Sequence, residues 1–130
     1  YEGVSLADIS AATGLGKSSL YHHFPEGKPD MAEAVGAFAL QSMRANVFTP
    51  LRAEGAIRAK VEAMLATVDA VYEGGAAPCL VASMLPSGAA STTMGAIIAE
   101  WIDALAAALK AAGVKSKEAR ARAVAAIVAI

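Results

Sequence analysis

The sequence predicts an all-α protein in which a short pair of helices is followed by a long connecting helix and a helical body. Two observations favour this class, and the length of the chain limits the number of domains. Hydrophobic residues make up 56% of the chain and aromatic residues only 5%. The apolar side chains recur at spacings of three and four and rarely alternate. A chain of 130 residues is long enough for one domain, or for a small module that shares its core with a helical body.

The first helix is predicted to begin at Ser5 and to end near Thr13. Ser5 and Asp8 have the Ser-x-x-acid spacing of a capping box, in which each side chain binds a free N–H group at the start of a helix. Gly14 stands where a left-handed residue would end the helix. Leu15 is expected to fill the angle between this helix and the next.

A second short helix is predicted from Gly16 to Phe24, with Leu20 and Phe24 directed into the core. Two short helices joined by a tight glycine turn indicate a helix-turn-helix, whose second helix enters the DNA major groove and reaches base edges with its N-terminal residues. Lys17, Ser18 and Ser19 occupy these N-terminal positions. The complete set of candidate DNA-binding residues is Ser5, Lys17, Ser18, Ser19, Tyr21, His22, His23 and Lys28.

Residues 1–31 resemble the N-terminal domain of the TetR/AcrR family of bacterial repressors. The resemblance rests on Asp8-Ile9, on Gly14-Leu15, on the run from Ser19 to Phe24 and on Lys28. Residues 24–28, Phe-Pro-x-Gly-Lys, are similar to the drug-responsive branch related to lincomycin and multidrug-efflux repressors. On a helix in the major groove, Tyr21, His22 and His23 would meet phosphates. Lys28 could contact a phosphate or be a solvated lysine, and the resemblance favours the phosphate contact. The resemblance also implies a further helix with a basic tail before Tyr1.

The net charge of residues 1–35, the candidate DNA-binding segment, argues against DNA binding by electrostatic attraction alone. The whole chain has a net charge of −1, and residues 1–35 carry two lysines against five acids, a balance of −3. The acids are Glu2, Asp8, Glu26, Asp30 and Glu33. Proteins that bind nucleic acid mainly by charge have a positive field instead. We therefore expect binding that depends steeply on salt but uses few phosphate contacts per subunit.

The rest of the chain predicts a series of helices. Lys28 and Pro29 open a connector helix that Pro50 ends, because proline suits the first turn and interrupts later ones. A second long helix is expected from about Leu51 to Tyr72, followed by the terminator Gly74-Gly75. The remaining expected elements are a short buried helix at 78–85, a loop at 86–88, a helix capped by Ser91 to Thr93 and ending at Gly113, and a last helix capped by Ser116.

These elements and the resemblance together imply two parts: residues 1–48 as a helix-turn-helix DNA-binding head with its connector, and residues 49–130 as a helical effector-binding and dimerisation body. The resemblance implies a homodimer through the helices at 91–112 and 116–130, packed against their twofold mates. The last apolar run, Val124, Ile127, Val128 and Ile130, has no cap, and we expect the natural protein to continue beyond it.

The resemblance also implies a small apolar effector bound between the central helices. Our candidates for its pocket are Met64, Val68, Tyr72, Met84, Ile98 and Trp101. The alternative interpretation is that these side chains are ordinary core, since methionine and aromatic residues at helical spacing usually are. Bound effector would shift the population away from the dimer that fits DNA.

Other classes receive less support from the sequence. Ala11 to Ser18 approaches a nucleotide-binding loop, but that chemistry requires a preceding strand and the segment has helical spacing. His22 and His23 are adjacent and cannot form an i,i+4 metal pair, and no catalytic triad or carboxylate pair is evident. We therefore predict neither enzyme activity nor a metal or other cofactor.

The single Cys79 excludes an internal disulfide and agrees with a cytoplasmic location; it is interpreted as core, with a redox sensor as the alternative. The uncharged stretch from Gly74 to Ala99 is interrupted by Pro78 and Pro86, so no membrane insertion is predicted. The leading hypothesis is a ligand-responsive transcriptional regulator, a repressor that binds an inverted-repeat operator. The alternative hypothesis is a helical scaffold or dimerisation protein of the same fold that does not bind DNA.

Overall fold

The computed structural model describes residues 1–129, and all regular secondary structure in that range is helical. This confirms the predicted all-α class. The helices are α1 (Leu6–Thr13), α2 (Lys17–His23), α3 (Lys28–Ser42), α4 (Phe48–Arg52), α5 (Ile57–Val71), α6 (Leu80–Met84), α7 (Ser91–Ala111) and α8 (Ser116–Val128). A π-helical turn, Met43–Val47, joins α3 to α4. Ile130, at the end of the predicted dimerisation helix, lies outside the described residues.

The start and end of α1 agree with the prediction. The Ser5 hydroxyl accepts a hydrogen bond from the Asp8 backbone N–H at 3.2 Å, and the Asp8 carboxylate accepts one from the Ser5 backbone N–H at 2.8 Å. At the other end Gly14 is left-handed, with φ 71°, and its N–H donates to the Ser10 carbonyl. Both caps therefore follow from local sequence.

The prediction that Pro50 ends the connector is wrong, because the helical segment that begins at Lys28 runs on to Arg52. Proline cannot donate a backbone hydrogen bond, and its ring crowds the carbonyl four residues earlier. The π-helical turn widens the helix just before this point, and the Phe48 N–H donates to Met43, five residues back. The Thr49 hydroxyl also donates to the Arg44 carbonyl at 3.1 Å. The division proposed at residue 48 falls inside this segment and stays a prediction.

The predicted start of the next helix at Leu51 is also wrong. Leu51 is only 2% exposed and lies in α4, packed into the core. The chain turns after it, and Gly55 adopts φ 122°, a conformation that suits glycine. Helix α5 begins at Ile57 and ends at Val71, followed by the predicted glycine terminator, in which Gly74 and Gly75 have positive φ.

Two predicted serine caps are wrong as well. The residue before α7 is Ala90, and no side chain caps that helix; the Thr93 hydroxyl instead donates to the Glu33 carboxylate on α3, at 2.9 Å. Helix α8 begins with Ser116 itself, after Lys115, and it too has no side-chain cap. A serine near the start of a helix therefore does not cap it at either of these two places.

The core lies between the connector, α5 and α7. Its largest fully buried side chains are Val47, Phe48, Met64, Met94 and Ile97. Trp101 on α7 donates its indole N–H to the Met64 sulfur at 3.1 Å, and its ring centroid lies 6.4 Å from that of Phe48. On the surface beside this cluster, Arg44 forms a two-point ion pair with Glu100, which lowers the pKa of that carboxyl.

Helix α3 approaches α7 closely at Gly36. A Cβ atom built on Gly36 would lie 2.9 Å from the Met94 methyl carbon and 3.2 Å from the Thr93 methyl carbon. Real Cβ atoms do not come so close to carbon, so glycine is what allows this approach. The contact joins the connector to the body.

Helices α7 and α8 pack through small side chains. Ala104 and Ala108 on α7, with Ala119 and Ala123 on α8, are all buried. Arg120 forms an ion pair with Asp103 across the same two helices, at 2.5 Å. Within residues 1–129, Ser91–Ala111 is the one helix whose length and composition would allow it to cross a membrane. Seven of its residues are buried in this core, which is an ordinary position for a central helix.

Candidate functional site

Helix α2 presents most of the candidate DNA-binding side chains to solvent. Leu20 is 4% exposed and anchors the helix. Around this anchor the exposed side chains are Lys17, Ser18, Tyr21, His22 and His23, whereas Ser19 is half-buried. One short helix therefore carries a cation, two hydroxyl groups and two imidazoles on its open surface.

Polar contacts hold the turn between α1 and α2. The Ser10 hydroxyl donates to the Leu15 carbonyl at 2.5 Å, and the Thr13 hydroxyl donates to the Ile9 carbonyl at 2.7 Å. The Leu15 N–H donates to Thr13 in turn, at 3.3 Å. Leu15 itself is 47% exposed, so the expectation that it fills the angle between the helices is wrong. Hydroxyl groups in the turn fix the orientation of α2 where we expected an apolar wedge.

Tyr21 projects from α2 next to the start of α3. A Cβ atom on Gly27 would lie 3.6 Å from the Tyr21 ring, an ordinary van der Waals distance, but Gly27 has φ 72°, so a side chain there would strain the turn. The rings of His22 and His23 lie 5.2 Å apart, edge to face. Residues 1–129 contain no group of three or more His, Cys, Asp or Glu placed to hold a metal ion.

Ser5 and Lys28 differ from the other candidates because their polar groups bind within the protein. The Ser5 hydroxyl donates to the Asp8 carboxylate at 2.6 Å, and the hydrogen bonds from Ser5 lower the pKa of Asp8. The Lys28 ammonium donates to the Tyr1 carbonyl at 2.9 Å and lies 4.4 Å from the centre of the Tyr1 ring. Lys28 therefore ties the beginning of the chain to the first turn of α3.

The acids of the predicted head, residues 1–48, lie outside α2 and the turn that precedes it. From Ile9 to Pro25 the chain has no carboxylate, and Lys17 gives this stretch a formal charge of +1. Asp8 is held by the cap of α1, Asp30 accepts the Glu26 backbone N–H at 2.9 Å, and Glu33 binds Thr93 in the body. The net charge of −3 thus describes residues 1–35 as a whole and not the surface of α2.

The six side chains predicted to line one effector pocket do not share one cavity. Val68 and Tyr72 line a cavity of about 640 Å³, Met84 one of about 270 Å³ and Met64 one of about 370 Å³. Ile98 and Trp101 line none of these three. The physical reason is the direct contact between Trp101 and Met64, which fills the space between α5 and α7.

The largest of these three cavities, which we call the α5–α6 cavity, lies where α5 ends and the chain turns towards α6. Its lining is Leu65, Val68, Asp69, Tyr72, Gly75, Ala77, Pro78 and Cys79. The Cys79 thiol donates a long hydrogen bond of 3.6 Å to the Tyr72 hydroxyl, and burial raises the pKa of Tyr72 to about 12. Sequence reasoning missed Asp69 and Pro78 here, because each was assigned only to a helix or a loop.

A second cavity lies between the head and the body, and we call it the junction cavity. The head contributes Tyr1, Val4, Ile9, Lys28, Met31, Ala32 and Val35, and the body contributes Leu80, Ser83 and Met84 from α6. Apolar side chains dominate both walls. Helix α6 therefore faces the N-terminal helices across a space of about 270 Å³. In the sequence, α6 begins directly after Cys79, the last residue that lines the α5–α6 cavity.

Comparison with known proteins identifies the N-terminal part of the chain. A family model described as bacterial regulatory proteins, tetR family, matches residues 1–35. This region contains α1, α2 and the first half of α3. No curated protein and no solved structure matches the chain.

Proposed function

By its residues 1–35 the chain is a TetR-family DNA-binding transcriptional regulator, and from this premise we propose that it is a cytoplasmic, ligand-responsive repressor. It binds an inverted-repeat operator as a homodimer and is released by a small apolar effector. The observation that carries the proposal is the open surface of α2, where exposed Lys17 and Tyr21 stand on a helix anchored by Leu20 and free of carboxylates.

The residues of α2 divide between the two kinds of DNA contact. Lys17, Ser18 and Ser19 lie in its first turn, from which side chains reach base edges in the major groove. Tyr21, His22 and His23 follow and contact phosphates, which position the helix without reading sequence.

The two candidates outside α2 support the reading helix from its flanks. Lys28 has three N–H donors, of which one binds Tyr1, so its ammonium retains donors for a phosphate. Ser5 contributes by capping α1, which sets where the helix-turn-helix begins.

The homodimer forms through α7 and α8, at 91–112 and 116–130. Support comes from the exposed apolar side chains of α8, where Val124 is 39% and Val128 80% exposed. Exposed branched side chains one helical turn apart form a stripe that association would cover. A twofold axis there would fix the distance between the two reading helices.

The effector acts from the α5–α6 cavity. Its wall at Gly75 to Cys79 leads directly into α6, and Leu80 and Met84 of α6 face the head across the junction cavity. A ligand that moves this wall also moves α6 against the head. It therefore favours a dimer with misplaced reading helices, and it lowers the DNA affinity by its preference for that state.

The test is selection of duplexes from a random DNA pool at moderate salt, with the parent and with the double variant Lys17→Ala, Tyr21→Ala. A matched control, Lys115→Ala, removes one lysine charge from an exposed site before α8. The parent and the control should enrich the same inverted repeat. Loss of one base-reading contact costs about 1–3 kcal/mol, so Lys17→Ala alone should weaken operator binding roughly 5- to 150-fold.

Failure of the parent to enrich any sequence would contradict the proposal. That outcome would favour the second candidate, a helical scaffold or dimerisation protein that has kept the fold, which the net charge of −3 in residues 1–35 supports. Circular dichroism of every variant would separate loss of DNA contact from loss of fold.

A further inference from the structure

All charged residues in the middle of the body are acidic. Between Val61 and Leu109 the sequence contains five acids and no lysine, arginine or histidine. These acids are Glu62, Asp69, Glu73, Glu100 and Asp103. Three of them pair with arginines that lie outside this stretch, namely Glu62 with Arg58, Glu100 with Arg44 and Asp103 with Arg120. Within residues 1–129, Asp69 and Glu73 have neither an ion pair nor a side-chain hydrogen bond.

Of these two unpaired acids, Asp69 lies at the α5–α6 cavity. Its exposed side chain belongs to the lining, whereas Glu73 is exposed next to Tyr72 in the chain and lies outside the lining. The rest of the wall is largely apolar, with Leu65, Val68 and Pro78 among its members. A volume of about 640 Å³ is within the range of pockets that hold drug-sized molecules.

Tyr72 gives the same cavity an aromatic wall that stays neutral. Burial raises the pKa of its hydroxyl to about 12, and the hydrogen bond from Cys79 further fixes the group. Tyr72 therefore adds no negative charge to the lining at neutral pH. An aromatic face next to a carboxylate attracts cations, and most strongly those with weakly hydrated charge.

We infer that the α5–α6 cavity binds an organic cation with an apolar body, whose charge pairs with Asp69 and whose body packs against Val68 and Tyr72. This inference rests on the proposed function, because it names the chemical class of the effector. An apolar anion would be repelled by Asp69. A small inorganic cation would find one carboxylate and an apolar wall, which is too few oxygen ligands to replace its water.

The test uses two probes of nearly equal size and shape and of opposite charge, tetraphenylphosphonium and tetraphenylborate, titrated by calorimetry into the full chain. The phosphonium should bind and the borate should not. Asp69→Asn should weaken phosphonium binding by up to about fivefold, as expected for loss of one partly exposed charge pair of up to about 1 kcal/mol. The control Glu62→Gln removes the same charge from the same helix, away from the cavity, and should leave the affinity unchanged.

Equal binding of both probes, no binding of the phosphonium, or an unchanged affinity in Asp69→Asn would each overturn the inference. The operator assay keeps the proposed function separate from it. If phosphonium binds through Asp69 but the protein stays bound to the selected operator, the cation-binding site is confirmed and the claim that its ligand releases DNA is wrong. If an uncharged apolar compound releases the operator and phosphonium does not, the proposed repressor function stands and a cationic effector is excluded.

Discussion

The close approach of α3 to α7 predicts that alanine at position 36 will destabilise the protein although it is the better helix former. Alanine in a helix interior gains about 1 kcal/mol over glycine. At position 36 the added methyl group would lie 2.9 Å from the Met94 methyl carbon and 3.2 Å from the Thr93 methyl carbon, and Met94 is fully buried, so its end must shift inside the core. Overpacking of this kind costs about 1–3 kcal/mol, so the two effects leave the variant up to about 2 kcal/mol less stable.

Gly95→Ala is the matched control for this substitution. Gly95 lies in α7, and a Cβ atom on it would meet nothing within 4 Å. It should therefore gain about 1 kcal/mol from helix propensity alone. Urea unfolding followed by circular dichroism should separate the two variants by about 1–3 kcal/mol, which is the overpacking cost. Measurement at two protein concentrations would show whether association contributes. If Gly36→Ala stabilises the protein as much as Gly95→Ala, the argument from close approach is refuted.

Two further predictions concern a cap and a titrating group. Ser5→Ala should lower the free energy of unfolding by about 1 kcal/mol, whereas Ser116→Ala, at a serine that caps nothing, should change it by less than about 0.5 kcal/mol; equal losses in urea unfolding would contradict the assigned cap. The pKa of Tyr72 is raised in the folded state to about 12 from about 10 in an unfolded chain. The contribution of Tyr72 to the free energy of unfolding is therefore complete below pH 10 and is lost as the pH rises to 12, because the unfolded chain releases its proton first. The parent should therefore lose more stability than Tyr72→Phe over that interval, and parallel curves would count against a raised pKa.

Local signals were sufficient for the N-terminal part of the fold. The Ser5 to Asp8 spacing and Gly14 predicted both ends of α1, since capping depends on residues close in sequence. Pro50 misled for a related reason. Its effect depends on the hydrogen-bond register of the preceding turn, and nothing in the residues 43–47 indicates a π-helical turn in advance. Ser91 and Ser116 show that a residue type suited to capping does not determine the backbone conformation that a cap requires.

The body cavities were less predictable because they depend on how helices pack at a distance. Apolar spacing identified Met64 and Trp101 as inward-facing, and both are buried. Spacing alone cannot distinguish side chains that fill a core from those that line a cavity, and the direct contact between these two fills the expected pocket. Asp69 carried a usable signal that went unnoticed: it lies in a long stretch without cations, where an acid has few possible partners.

The π-helical turn at 43–47 sets the rotation of the helices that precede it relative to those that follow it. One residue of an α-helix corresponds to a rotation of about 100° and a rise of about 1.5 Å. A turn that accommodates an extra residue therefore changes the azimuth of everything that precedes it, relative to a straight helix of the same length. In the proposed homodimer both copies would carry the same change, related by the twofold axis. The angle at which two reading helices would face one duplex is thus set by backbone geometry some 20 residues away from α2.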